Sequence, residues 1–255
     1  MKKEEERFAD SSVMEGMVSI RAVISSREAG TNDRPINKIL YDRAKAVQRK
    51  GELGYLRAIS SQHGFVLEES DEETISSYTT GNSHGGIIAL CGERSFYPLE
   101  NPAADGFYMM LDGIEDPYNF GYALRSVYAS GCDGVILSPR NWMTASGVVC
   151  RASAGASEKM QLYSGDPVET AKLLKSMGYT VVAAEKDDAV SVYESNLRRP
   201  IFLIVGGEKR GISRSLLELC DFRVCLEYGR DFYAALSAAS AASILAFEVL
   251  RANRQ

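Results

Sequence analysis

Asp116, Pro117, Asn119, Gly121 and Arg125 stand close together in the stretch LDGIEDPYNFGYALRSVYASGCDGVIL, residues 111–137. A carboxylate, a carboxamide and a guanidinium so near one another can bind and orient a polar ligand, provided the chain holds them at a crevice. The flanking residues predict that it does. Phe107 to Leu111 is an apolar run that breaks at Asp116-Pro117, apolar residues then recur at helical spacing, and Gly134 to Leu137 is a second short apolar run. That pattern reads as strand, turn, helix, strand, one βαβ unit. The turn falls at the strand's carboxyl end, where open parallel sheets place their ligands. Arg125 follows one to two helical turns later and can reach toward the same crevice.

A second turn with chemical promise is Val205-Gly206-Gly207-Glu208-Lys209-Arg210-Gly211, directly after the apolar run Ile201 to Val205. Paired glycines there let a backbone pass close to a ligand or take positive φ. A plain strand-to-helix turn is the competing reading. No GxGxxG follows a predicted strand and no GxxxxGK[ST] loop occurs, which weighs against a nicotinamide or flavin dehydrogenase and against a phosphate loop. The third feature is the final helix, about Ala234 to Asn253. Its first half is nearly all Ala and Ser, and its second half is bulky and apolar. Small residues let backbones approach closely, so this helix is expected to press against another helix or across a subunit interface.

The elements that must position these residues divide into two regions. In the first, 17–25 reads as a strand, Ile36 to Tyr41 as another, and Ala44 to Ser61 as a basic helix. Phe65 to Leu67 is a short strand, Glu72 to Tyr78 a short helix, and Gly86 to Cys91 an apolar strand. The segment SFYPLENPAADG carries two prolines and turn formers, and places a linker at 99–106 between domains 1–98 and 107–255. After it, strands are expected at Phe107 to Leu111, Val135 to Leu137, Gln161 to Tyr163, Thr180 to Ala184, Ile201 to Val205 and Arg223 to Leu226, with helices between them. Such alternation means an α/β fold, a largely parallel sheet covered by helices on both faces.

Composition bounds the rest. The chain has 255 residues, 45% apolar and 25% charged, as in an ordinary globular protein. No apolar run approaches the roughly 20 residues that span a membrane, and the charged start MKKEEERFAD lacks the apolar core of a secretory signal. Five scattered cysteines without a CxxC pair read as reduced thiols of a cytoplasmic protein. With only His63 and His84 as histidines, no metal site is expected. A net charge of −5 argues against a general nucleic-acid coat. Yet Arg21, Arg27, Arg34, Lys38, Arg43, Lys45, Arg49, Lys50 and Arg57 make one stretch locally basic, either a nucleic-acid footprint or a solvated face.

Taken together, the three segments resemble the SpoU-type (TrmH-like) RNA ribose 2′-O-methyltransferases of the SPOUT class. The family's first motif, approximately DPxNxGxxxR, is complete in Asp116, Pro117, Asn119, Gly121 and Arg125. Its second, an apolar strand followed by GxExxG, is matched by Gly206, Glu208 and Gly211. In the third, Leu226-Glu227-Tyr228 ends the strand and Ala235-Leu236-Ser237 opens the helix, with Ala235 in place of the usual Ser and Ser237 in place of the usual Asn. More weakly, His84-Gly85-Gly86-Ile87 looks like the closing strand of the ribosomal-protein-like RNA-binding domain that many members carry.

The resemblance implies a SPOUT fold with a C-terminal trefoil knot, an exception to the unknotted norm, behind a small α/β RNA-binding domain. It implies S-adenosylmethionine as cofactor, held by Gly206, Gly207, Leu226, Tyr228, Gly229, Leu236 and Ser237. It implies transfer of the methyl group to an RNA ribose, in ribosomal more than transfer RNA, by a homodimer. Arg125 is then expected at the chemistry, Asn119 to orient the ribose or the arginine, and Glu208 to fix the glycine loop or Arg125. The altered third motif leaves a non-catalytic RNA-binding relative as the alternative, and a small-molecule α/β enzyme stands third.

Overall fold

The computed structural model describes residues 13–79, 83–138, 145–207 and 211–254. These form two compact units, one from residues up to Ser95 together with those up to Lys159 from 141, the other from 96–140 and 160–255. Residues 145–159, expected within the second domain, therefore pack with the first unit. The expected α/β class is the observed one.

In the first unit, β1 (Val13–Glu15) leads into α1 (Gly16–Glu28), and β2 (Ile36–Asp42) is followed by a 3-10 turn (Arg43–Lys45). Then come α2 (Lys50–His63), β3 (Val66–Ser70), α3 (Glu72–Ser77) and β4 (Ile87–Cys91). The strands form a sheet ordered β1-β4-β2-β3, antiparallel except for β2 with β3. The strand expected at 17–25 is a helix. Its dense β-branched residues suggest a strand, but Met17, Ile20, Val23 and Ile24 fall on one face at helical spacing and are buried, so packing overrides propensity. The basic helix expected from Ala44 begins only at Lys50.

The crossover helices α5 (Ser146–Ala152) and α6 (Ala156–Lys159) complete this unit. Cys150 joins the core of Ile20, Ile24, Ile39, Leu53 and Ile87. Beside it, Glu158 and Arg34 form a buried pair at 2.9 Å, with side chains 3% and 5% exposed. The Asn32 amide also donates to Glu158, and Arg94 donates to the carbonyls of Ser157 and Thr31. A buried charge pair so fully hydrogen-bonded specifies where α6 lies.

The second unit holds β5 (Phe107–Asp112), α4 (Pro117–Ala129), β6 (Gly134–Leu137), β7 (Leu162–Ser164) and α7 (Pro167–Ser176). It continues with β8 (Thr180–Ala184), β9 (Val190–Ser191), β10 (Ile201–Gly206), α8 (Arg214–Leu217), β11 (Phe222–Cys225) and α9 (Ala238–Asn253). Among the described residues these give a seven-stranded parallel sheet ordered β7-β6-β5-β10-β8-β11-β9. The central strands β5 and β10 are almost wholly buried, as continuous apolar runs in a doubly covered sheet must be. The final helix starts at Ala238 rather than Ala234. Its small residues Ala238, Ala239, Ala242 and Ala246 are buried, and α9 packs on α4 of the same chain. The expected close helix contact is thus an internal one. No helix among the described residues is long and apolar enough to cross a membrane.

Candidate cofactor cleft and the first-motif helix

The neighbouring strands β10, β8 and β11 end together at the carboxyl edge of the seven-stranded sheet, and a cleft of about 980 Å³ opens there. A volume of this size holds a ligand of nucleoside dimensions. One wall is Val205 and Gly206 at the end of β10, with Gly207 and Gly211 after it. A second is Val224, Cys225 and Leu226, and the floor is the start of α9 with Leu236, Ser237 and Ala241. Glu185, Lys186 and Asp187, after β8, supply the charges.

The glycines are required by their surroundings. A Cβ at Gly206 would meet Gly211 and Ile212 at 2.8–2.9 Å, and one at Gly207 would run into the backbone of Gly113. Gly207 also accepts the Gly211 N–H at 3.0 Å, and Gly211 takes φ +59°. The backbone after β10 is therefore locked against the turn after β5.

Tyr228 organises the segment between β11 and α9. Its hydroxyl accepts the Leu236 N–H at 3.1 Å, its ring lies 5.9 Å from that of Phe232, and the Lys186 ammonium sits 5.9 Å from its ring centroid. Ser237 is the N-cap of α9: its Oγ accepts the Ser240 N–H at 3.1 Å. Serine and asparagine are near-equal N-caps, so the substitution from the family pattern keeps the helix start while removing the amide.

On the first-motif helix, Asp116 is the N-cap of α4, accepting from Tyr118 and Asn119 N–H groups at 3.4 and 3.1 Å, with Pro117 in the first turn. This arrangement is the preferred helix start. Because Asp116 does the capping, the Asn119 side chain is not needed for it, and it makes no hydrogen bond among the described residues. Arg125 is exposed and has no ion-pair partner among the described residues. Both are polar groups that the fold itself does not use.

Of the residues expected from sequence, the structure brings Gly206, Gly207, Leu226, Tyr228, Leu236 and Ser237 onto one cleft. Gly229 is not part of the lining, and a Cβ there would meet nothing within 4 Å. Asn119 and Arg125 lie on α4, after the strand next to β10, and Glu208 lies outside the described residues. Sequence reasoning missed Glu185 to Asp187 and Phe232. The first could have been found from their place at the carboxyl end of a parallel strand beside β10.

The model of the SpoU rRNA Methylase family matches residues 106–247. A protein of Staphylococcus saprophyticus assigned to the TrmH family of tRNA/rRNA methyltransferases is 28% identical over 233 residues, covering 88% of this chain and 92% of that protein. The fold is shared with the AdoMet-bound rRNA methyltransferase of Sinorhizobium meliloti, at 22% identity and TM-score 0.80, covering 100% of this chain and 92% of that one. It is also shared with the SpoU methyltransferase AviRb of Streptomyces viridochromogenes, at 18% identity and TM-score 0.75, over 98% and 93%. With its fold, its glycine-lined cleft and its first motif in place, the chain belongs to the SpoU rRNA methylase family.

Proposed function

We propose that the protein transfers a methyl group from S-adenosylmethionine to a ribose 2′-hydroxyl of RNA, ribosomal rather than transfer RNA. The observation that carries this reading is the cleft at the ends of β8, β10 and β11, lined by glycine backbone and by aliphatic and aromatic side chains beside the charged Glu185, Lys186 and Asp187. Such a lining suits an adenosyl group bound through backbone and apolar contact. A Cβ at Gly206 or Gly207 would collide with the backbone of Gly211, Ile212 or Gly113, so these two glycines keep the wall of the cleft in place. The solved relatives from Sinorhizobium and Streptomyces are described as AdoMet complexes, which supports the same cofactor here.

When bound, S-adenosylmethionine would supply an electrophilic methyl group and a neutral thioether as leaving group, and the proton of the attacking hydroxyl would pass to solvent water. The chain's residues do the rest. Gly206, Leu226 and Leu236 hold the adenosyl part, and Gly207, Tyr228 and Ser237 keep the surrounding loops in place. Arg125 grips the adjacent phosphate through two parallel N–H groups and stabilises negative charge developing on the ribose oxygen. Asn119 orients the ribose or Arg125.

The first unit serves as the RNA-binding domain, the exposed Arg21, Arg43, Lys50 and Arg57 of its basic stretch meeting the phosphate backbone, while Arg34 is buried against Glu158. The protein works in the cytoplasm as a homodimer. Tyr118, Tyr122 and Tyr128 on α4, with Ile244 and Phe247 on the adjoining α9, are exposed and offer the apolar face such a dimer needs. The altered third motif favours a second reading, a relative that binds RNA without methylating it.

Calorimetry with S-adenosylmethionine tests the cofactor assignment, since an enzyme of this kind must bind it and absence of binding removes the reading. Ribose-methylation mapping of total RNA from a deletion strain then separates the two readings. One lost methyl site is expected, and an unchanged map leaves only the non-catalytic relative.

A further inference from the structure

We infer that Phe232 and Tyr233 form a stacking platform for the base of the nucleotide being methylated. This inference rests on the reading that the neighbouring cleft holds the methyl donor. Phe232 is part of the cleft lining and is still 55% exposed, while Tyr233 is 98% exposed, the most exposed large apolar side chain among the described residues. The backbone that carries them is anchored. Lys186 donates to the Tyr233 carbonyl at 3.4 Å, Phe232 packs on Tyr228, and Tyr228 holds the Leu236 N–H. An anchored backbone that presents an unburied ring has already lost the freedom it would otherwise lose on binding.

The occupant follows from the reaction. A ribose hydroxyl meets the methyl group when its nucleotide is held at the mouth of this cleft, and an unpaired nucleotide is the one most readily held there. Unstacked bases are held on aromatic faces. Stacking is tolerant of base identity, so the platform positions the nucleotide while sequence is read elsewhere. Arg230, exposed in the same loop, suits the phosphate that flanks a stacked base. A second copy of the chain could cover the same rings, but continuity with the cofactor cleft through Phe232 favours the base.

The test uses the full-length protein, tritiated S-adenosylmethionine and total RNA from a strain lacking it. Tyr233→Ala should raise KM for RNA about tenfold or more, the scale of one lost base stack, while Tyr233→Trp stays near the wild type. Affinity for S-adenosylmethionine by calorimetry should stay within about twofold in both variants, because Tyr233 is not part of the cleft lining. An unchanged KM in Tyr233→Ala overturns the platform and leaves the methyltransferase reading standing. A variant that dissociates to monomers in sedimentation, with KM unchanged at saturating protein, assigns the rings to a second copy instead. Wild-type protein that labels no RNA overturns the methyltransferase reading, and the platform falls with it.

Discussion

Gly207 lies directly against the backbone carbonyl of Gly113, so that the turn after β10 and the turn after β5 touch through glycine alone. This contact joins the cofactor loop to the strand that feeds the first motif. Backbone cannot retreat as a flexible side chain can, so Gly207→Ala should cost about 1–3 kcal/mol or more of stability and weaken S-adenosylmethionine binding. Gly229→Ala has open space and should be nearly neutral in both. Thermal unfolding and calorimetry of the two variants check this. Equal behaviour would mean the glycine loop is not held by Gly113.

Ser237 caps α9, and the cap makes its own prediction. Ser237→Ala should destabilise the second unit by about 1 kcal/mol, whereas Ser237→Asn, the family's usual residue, should lie within a few tenths of wild type. Urea unfolding measures both. If the two variants were equally unstable, the hydroxyl would be needed for something other than the Ser240 N–H.

The parts of this fold that could be read from the sequence are those set by local pattern. Ile201 to Val205 and Phe107 to Leu111 are unbroken apolar runs because both faces of their sheet are covered, and the glycines after β10 announce a close approach. Positions set by distant partners could not be read. The helix at 17–25 looks like a strand until its face at Met17, Ile20 and Ile24 is seen packed. Helix α6 joins the first unit because Glu158 meets Arg34, far away in sequence. Glu185 to Asp187 look like an ordinary charged turn, and become cleft residues only because β8 lies between β10 and β11. Gly229, matched to a motif loop by position, has no neighbour to require it.

Arg125 is exposed on α4 and has no ion pair among the described residues to lose. Arg125→Ala should therefore change stability by less than about 0.5 kcal/mol and keep S-adenosylmethionine affinity within about tenfold, while abolishing turnover. Arg125→Lys should rescue little, because an ammonium cannot reproduce a bidentate grip. A variant that fails to fold would make the arginine structural.

Glu158 and Arg34 lie buried together, and breaking one side leaves the other charge unmatched. Burial alone would lower the Arg34 guanidinium, but the Glu158 carboxylate more than offsets this and holds it above its ordinary value. A cation whose folded pKa is raised contributes its stability fully below its unfolded pKa, which for arginine lies far above neutrality. This contribution should thus be constant from pH 6 to 9. Glu158→Gln should cost about 3–5 kcal/mol, and the double variant Arg34→Met/Glu158→Leu much less than the sum of the two singles. Calorimetric unfolding of the three proteins measures the coupling, and additive losses would show that the pair does not act as a unit.

Cys225 offers a test of the cleft that needs no RNA. Alkylation proceeds through the thiolate, and burial pushes Cys91 and Cys132 up to about 12, Cys220 to about 11 and Cys150 higher still. At pH 8 those four thiols carry almost no thiolate, and three of them are also shut away from reagent. Cys225 is partly exposed and forms part of the cleft wall at the end of β11. Native protein treated with iodoacetamide should therefore carry one fast adduct, at Cys225, found by mass spectrometry of its peptides. Saturating S-adenosylmethionine should slow that reaction by about tenfold or more, as a ligand occupying most sites would. Cys225→Ser should remove the fast phase and leave the rest of the profile unchanged. Fast modification of Cys225 at the same rate with and without the cofactor would place S-adenosylmethionine somewhere other than this cleft.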